Sequence, residues 1–79
     1  MQLYVIVSDD RIVELGPFTE IRVIEWGVDM WGVVIDSDSD RSVLYMGNES
    51  DARGFMSTFV YKFAGLEREG DIGIIDMRE

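Results

Sequence analysis

A chain of 79 residues with sixteen carboxylates, seven basic side chains and a net charge of −9 is too negative to bind nucleic acid, whose phosphates require lysine and arginine. It contains neither histidine nor cysteine, which excludes imidazole bases, thiolate nucleophiles, His/Cys zinc sites and disulfides. At this length we expect a single domain, residues 1–79, and 47% hydrophobic residues suffice for its core.

Six apolar segments have the composition of β-strands, being rich in β-branched and aromatic residues. Turn residues follow several of them, which predicts hairpins. In chain order the predicted strands are residues 3–7, 12–15, 21–26, 30–35, 42–46 and 72–77. The third segment has an alternative, a helix capped by Thr19, but its closely spaced β-branched residues favour the strand.

The third and fourth strands predict a hairpin with Val28 and Asp29 at its tip. In an antiparallel pair with this turn, Trp26 lies opposite Trp31. The same register places Ile24 opposite Val33, and Arg22 opposite Ile35.

One amphipathic helix is predicted after the fifth strand. Asn48 is a suitable N-cap, and Glu49 and Asp51 place negative charge at the positive end of the helix dipole. Gly65 occupies the position of a left-handed residue after the last turn. An apolar stripe of helical period joins these ends and consists of Ala52, Phe55, Met56, Phe59, Val60 and Phe63.

Together these elements predict an α+β fold, an antiparallel sheet of five to six strands with the helix packed across it, between the fifth strand and a C-terminal strand. The strands are apolar on both faces, as in Leu3, Val5 and Val7 against Tyr4 and Ile6. A single helix covers only one face of a sheet. We therefore expect either a sheet that curls into a partial barrel or a second face that meets another protein.

No catalytic, metal or cofactor site is predicted. The Asp-rich segment 36–40 resembles the start of an EF-hand loop, but the positions that require glycine and glutamate hold Arg41 and Gly47. The serines lie in no nucleophile motif, and the glycines form no phosphate-binding loop. An enzyme is therefore not expected.

The candidate partner-binding residues are carboxylates. In an up-and-down meander the helix runs back toward the connection between the fourth and fifth strands, which gathers six of them at one edge of the sheet. They are Asp36, Asp38, Asp40, Glu67, Glu69 and Asp71. Trp26 and Trp31 are candidate hydrophobic anchors, because tryptophan is enriched among binding hot spots. The alternatives are solubilising charge and a tryptophan pair in the core.

These features predict a non-enzymatic module that docks its acidic patch on a basic, nucleic-acid-handling protein, without binding nucleic acid or a membrane itself. In composition the chain is similar to small acidic viral inhibitors of host defence, the anti-restriction and anti-CRISPR proteins. The resemblance implies a DNA mimic. A location in the cytoplasm of the producing or host cell is expected because the sequence shows no signal peptide and no apolar segment long enough for a membrane helix.

Two alternatives remain open. One is an assembly module that forms a homodimer through the second apolar face of its sheet, which Asp at Val23 or Val34 is expected to break. The other is a small-ligand pocket between helix and sheet near Trp31, Tyr45 and Tyr61.

Overall fold

The structure, a computed structural model, describes residues 2–16, 20–37, 40–66 and 72–78. Within these residues the fold is α+β, with six strands and one helix, and residues 20–27 form a strand rather than a helix. The elements are β1 (Gln2–Ser8), β2 (Arg11–Leu15), β3 (Glu20–Gly27), β4 (Met30–Asp36), β5 (Arg41–Gly47), α1 (Glu49–Ala64) and β6 (Ile72–Asp76).

The prediction of one antiparallel sheet is wrong, because the described strands form two sheets of three. The first sheet has the order β2-β1-β6, and the second has the order β3-β4-β5. A helix of 16 residues is about 24 Å long and cannot cover six strands that carry apolar residues on both faces. Two smaller sheets solve this problem, since each contributes one face to a shared core.

The last strand of the chain pairs with the first. β6 pairs with β1 in parallel, with Leu3 beside Gly73 and Val5 beside Ile75. A parallel neighbour requires a long connection, and the stretch from β2 to the end of α1 supplies it. The other described strand pairs are antiparallel.

The core lies between the inner faces of the two sheets and one side of α1. The first sheet contributes Leu3, Val5, Leu15 and Ile75, the second contributes Ile35 and Leu44, and the helix contributes Phe59. Phe55 and Phe63 pack against this cluster, so the predicted phenylalanine stripe is a core feature. Val60, which the helical period assigned to the same stripe, is instead nearly half exposed.

The helix begins as predicted and ends differently. The Asn48 side-chain oxygen accepts a hydrogen bond of 2.8 Å from the Asp51 N–H, which is the expected N-cap. Gly65 has φ −91°, so the predicted left-handed ending is wrong. The Leu66 N–H instead donates to the Phe63 carbonyl at 3.2 Å, which closes the helix with a tight right-handed turn.

The β3–β4 hairpin has the predicted tip and a different register. Glu25, not Trp26, lies opposite Trp31, because a bulge at Trp26 shifts the pairing by one residue. A two-residue type I′ turn needs positive φ at both central residues, and here Asp29 (φ 54°) adopts it while Val28 does not. The predicted partners Val33 for Ile24 and Ile35 for Arg22 are wrong for the same reason.

Candidate interaction surfaces

The structure describes two of the six predicted patch carboxylates, Asp36 and Asp40. The other four, Asp38, Glu67, Glu69 and Asp71, lie outside the described residues. Asp40 is exposed, and its carboxylate has no ion-pair partner in the described part of the chain. Asp36, in contrast, is held by arginines of its own sheet.

Asp36 is the centre of a charge cluster at one end of the second sheet. Its carboxylate lies 2.7 Å from Nε of Arg41 and 3.2 Å from Nη2 of Arg22. The Arg41 hydrogen bond is the main reason that the pKa of Asp36 lies below its ordinary value. Because its charge is balanced within the chain, Asp36 adds little to an outward negative field.

A second cluster joins the C-terminal strand to the first hairpin. Arg78 contacts Asp76 at 2.7 Å and Asp9 at 3.1 Å. The hydrogen bonds from Arg78 lower the pKa of Asp76 to about 2, and Asp76 in turn raises the pKa of Arg78. Lys62 of α1 donates to the Asp76 backbone carbonyl, which attaches the helix to the same strand.

Asp76 is expected to titrate well below an ordinary aspartate. A carboxyl pKa that is lower in the folded state than in the unfolded state stabilises the fold above the unfolded value, and this contribution is lost as the pH falls from about 4 to about 2. An NMR pH titration of the Asp76 carboxyl carbon measures the midpoint directly. Arg78→Gln should return it toward 3.8, whereas Arg53→Gln, remote from this cluster, should leave it unchanged.

The described cations are engaged within the chain. The Arg11 guanidinium donates to the Val43 carbonyl at 2.7 Å, Arg53 pairs with Glu49 at 2.9 Å, and the four others belong to the two clusters above. Four exposed carboxylates, in contrast, have no partner among the described residues. They are Asp10 and Asp29 in turns, Asp40 in the connection before β5, and Glu25 in β3. The unpaired charge on the surface of the described residues is therefore negative.

The two tryptophans lie on opposite faces of the second sheet. Trp31 is half-buried on the helix side, where the Arg53 guanidinium lies 5.6 Å from the centre of its ring. Trp26 lies on the other face, over Gly32, and is exposed. Of the two predicted anchors, Trp26 is the one whose ring is open to another molecule.

The outer face of the first sheet carries an exposed apolar patch beside the polar residues Gln2, Glu14 and Asp76. Ile6 and Ile12 are cross-strand neighbours, and so are Tyr4 and Ile74. Ile12, Ile72 and Ile74 are each more than half exposed. We call these five residues the isoleucine face. The alternation of Ile72 and Ile74 with Gly73 and Ile75 is the sequence signal for it, because alternate strand residues point to opposite faces.

The predicted pocket of Trp31, Tyr45 and Tyr61 is not assembled as expected. Tyr45 stacks on Phe55 at 5.1 Å between ring centres and lines a shallow depression of about 330 Å³ at the start of the helix. Tyr61 lines a different depression of about 560 Å³, between the end of the helix and β6. Trp31 lines neither of them.

No family model, curated protein or solved structure matches the chain. Among the described residues, no His, Cys, Asp and Glu side chains are grouped so as to hold a metal ion. The described helix is neither long nor apolar enough to cross a membrane.

Proposed function

We propose that this protein is a non-enzymatic binding module that docks on a basic, nucleic-acid-handling protein. The observation that supports the proposal is that the described cations are paired within the chain, whereas several exposed carboxylates are not. All six described cations are bonded to acceptors of the chain itself, while Asp10, Glu25, Asp29 and Asp40 point outward without a partner among the described residues.

Such a surface is suited to a positive partner for two reasons. A net charge of −9 attracts a basic protein over several ångströms and speeds their encounter. It also repels DNA and RNA, so the module competes with nucleic acid for a basic cleft instead of binding nucleic acid itself. Proteins that handle nucleic acid in the cytoplasm of the producing or host cell present such clefts, which agrees with an inhibitor of the anti-restriction or anti-CRISPR kind.

A panel of purified proteins tests this proposal. The immobilised chain is exposed to basic DNA- and RNA-binding proteins, to basic proteins that do not bind nucleic acid, and to acidic proteins of similar size. We expect binding that is restricted to the first group, that double-stranded DNA displaces and that added salt weakens. The proposal would be contradicted if the chain bound acidic proteins as strongly as basic nucleic-acid-binding ones. It would also be contradicted if double-stranded DNA failed to displace the bound protein.

The isoleucine face favours a second candidate, an assembly module that forms a homodimer. Large exposed apolar patches usually mark contacts, and the isoleucine face is continuous across β2, β1 and β6. The contact surface then differs from the one expected from the sequence. Val34 is fully buried and Val23 faces the helix side, so Asp at either position perturbs folding instead of a dimer.

Sedimentation at increasing concentration and salt separates the two candidates. A homodimer of chains carrying −9 each should tighten as salt screens their repulsion, whereas docking on a basic protein should weaken. Ile74→Asp should dissociate the dimer, and Val28→Asp, an exposed position outside the isoleucine face, should not. A monomer at every concentration would remove the dimer.

A further inference from the structure

The peptide unit between Asp76 and Met77 shows how β6 is oriented in the first sheet. Its N–H, on Met77, donates to the Ile6 carbonyl of β1 at 2.9 Å. Its carbonyl, on Asp76, points the opposite way and accepts from Lys62 of α1. One side of β6 therefore faces β1, and the other side is an edge of the sheet, which Lys62 covers at the Asp76 end.

The rest of this edge is open as far as the described residues reach. Main-chain groups alternate in direction along a strand, so the N–H and C=O of Ile72 and Ile74 point the same way as the Asp76 carbonyl, away from β1. On that side neither residue has a hydrogen bond to another described residue. Their side chains are 54% and 58% exposed. We call the outward main-chain groups of Ile72 and Ile74 the β6 edge.

The three other edge strands of the two described sheets are better protected. Bulges and charged side chains are common means by which proteins prevent pairing at a sheet edge. The pairings of β2, β3 and β5 each contain a register shift, whereas β6 pairs with β1 without one. β3 carries three charged side chains, and Arg11 of β2 donates to the Val43 carbonyl of β5. In β6 only Asp76, its last residue, is charged.

A depression lies beside the β6 edge. It has a volume of about 560 Å³ and is lined by Ile74 and by the end of α1, including Tyr61 and Leu66. This volume falls within the range of about 300–1,000 Å³ that is usual for binding sites. A strand added to the sheet lies about 4.8 Å from its neighbour, so the depression provides room for one between β6 and the helix.

We propose that the β6 edge receives an extended segment of another protein, which joins the first sheet as a fourth strand. In this mode of recognition main-chain hydrogen bonds supply the affinity and alternate side chains the specificity. The segment contacts Ile72 and Ile74 on the outer face, so it carries apolar residues at alternate positions. The inference goes beyond the proposed function, because it holds whether or not the protein that brings the segment is basic.

A second copy of this chain is a less suitable occupant of the β6 edge. Its own helix end lies beside the same edge, where Lys62 bonds to Asp76, and would have to share the depression. Two chains that each carry a net charge of −9 also repel one another. A single extended segment has neither disadvantage.

Amide hydrogen exchange measured by NMR tests the β6 edge directly. The probe is a capped, uncharged seven-residue peptide of alternating valine and threonine. In the free chain we expect the Ile74 amide to exchange fast and the Ile75 amide, which faces β1, to exchange slowly. Peptide at about ten times its Kd should slow the Ile74 amide about tenfold, because only the unbound fraction exchanges, and should leave the Ile75 amide unchanged.

Matched probes and variants locate the contact. N-methylation of every second peptide residue removes donors on one side of the strand only, so one alternate set should abolish binding and the other should retain it. Ile74→Pro removes an outward N–H but no bond to β1, and should weaken binding about tenfold or more. Ile12→Ser, on the isoleucine face but in β2, should bind as the parent does. The exchange and methylation tests require no variant to fold.

Four results would overturn the assignment. An Ile74 amide that is already protected in the dilute free chain would show that the chain covers this edge itself. Protection that rises with the concentration of the chain alone would identify a second copy as the occupant. Binding that leaves the Ile74 amide unprotected, or that both methylated sets retain, would place the contact elsewhere. A peptide that does not bind at about 1 mM would show that the β6 edge accepts no added strand.

Discussion

Replacement of Phe59 by alanine is expected to unfold most of the protein at room temperature. Phe59 is 1% exposed and lies in the core cluster that joins both sheets to the helix. Deleting a buried phenylalanine costs about 3–5 kcal/mol. A chain of 79 residues has a total stability of roughly 4–12 kcal/mol from its length, and small domains lie toward the lower end.

Urea denaturation followed by far-UV circular dichroism measures this effect. Tyr61→Ala is the matched control, because Tyr61 is an aromatic residue of the same helix with 82% of its surface exposed. Tyr61→Ala should change the free energy of unfolding by less than about 0.5 kcal/mol. Similar losses for the two variants would show that Phe59 does not hold the two sheets together.

An aspartate at Val33 is expected to prevent folding, while the same change at Val28 is tolerated. Val33 is 0% exposed in the central strand β4, between Val23 and Tyr45, and an unpaired carboxylate buried there costs several kcal/mol. Val28 is 94% exposed in the adjoining turn, where the added charge stays in water. The two variants carry the same composition and net charge, so only burial distinguishes them.

Thermal unfolding at pH 7 compares the two. Val28→Asp should melt within a few degrees of the parent chain, and Val33→Asp should show no cooperative transition. If Val33→Asp melts normally, the helix does not cover the inner face of the second sheet.

The local elements were predictable from sequence because their signals are local. β-branched segments, the Asn48 cap and the phenylalanine spacing define each strand and the helix without reference to the rest of the chain. The division into two sheets could not be predicted from the sequence, because the pairing of β6 with β1 joins residues about seventy positions apart. Apolar residues on both strand faces indicated only that one helix would not suffice.

The net charge of the candidate surface could be predicted from the sequence, but the pairing and exposure of its side chains could not. The count of carboxylates and arginines gives the net charge, but not which of them neutralise one another. Arg41 and Arg22 reach Asp36 only because β3, β4 and β5 lie side by side. Likewise the exposure of Trp26 depends on a one-residue bulge and on Gly32 in the neighbouring strand. Its sequence signal is a glycine within an otherwise unbroken apolar strand.

The charge of the surface and its apolar anchor have complementary roles in this account. Under the proposed function, long-range attraction from unpaired carboxylates would bring a basic partner to the surface, and contacts with the exposed Trp26 ring would hold it there. The salt dependence of binding reports the first contribution, and the response to Trp26→Ala reports the second.

The central claim is that this protein binds a basic partner through its uncompensated carboxylates, and the salt dependence of affinity tests it most directly. Affinity for a basic nucleic-acid-binding protein from the panel is measured between 50 and 300 mM salt for the parent chain and for a variant with Asp10, Glu25, Asp29 and Asp40 changed to their amides. We expect the parent to lose about tenfold or more over this range, and the variant to bind more weakly with a flatter slope. Equal affinities at both salt concentrations, or equal slopes for the two chains, would contradict the claim.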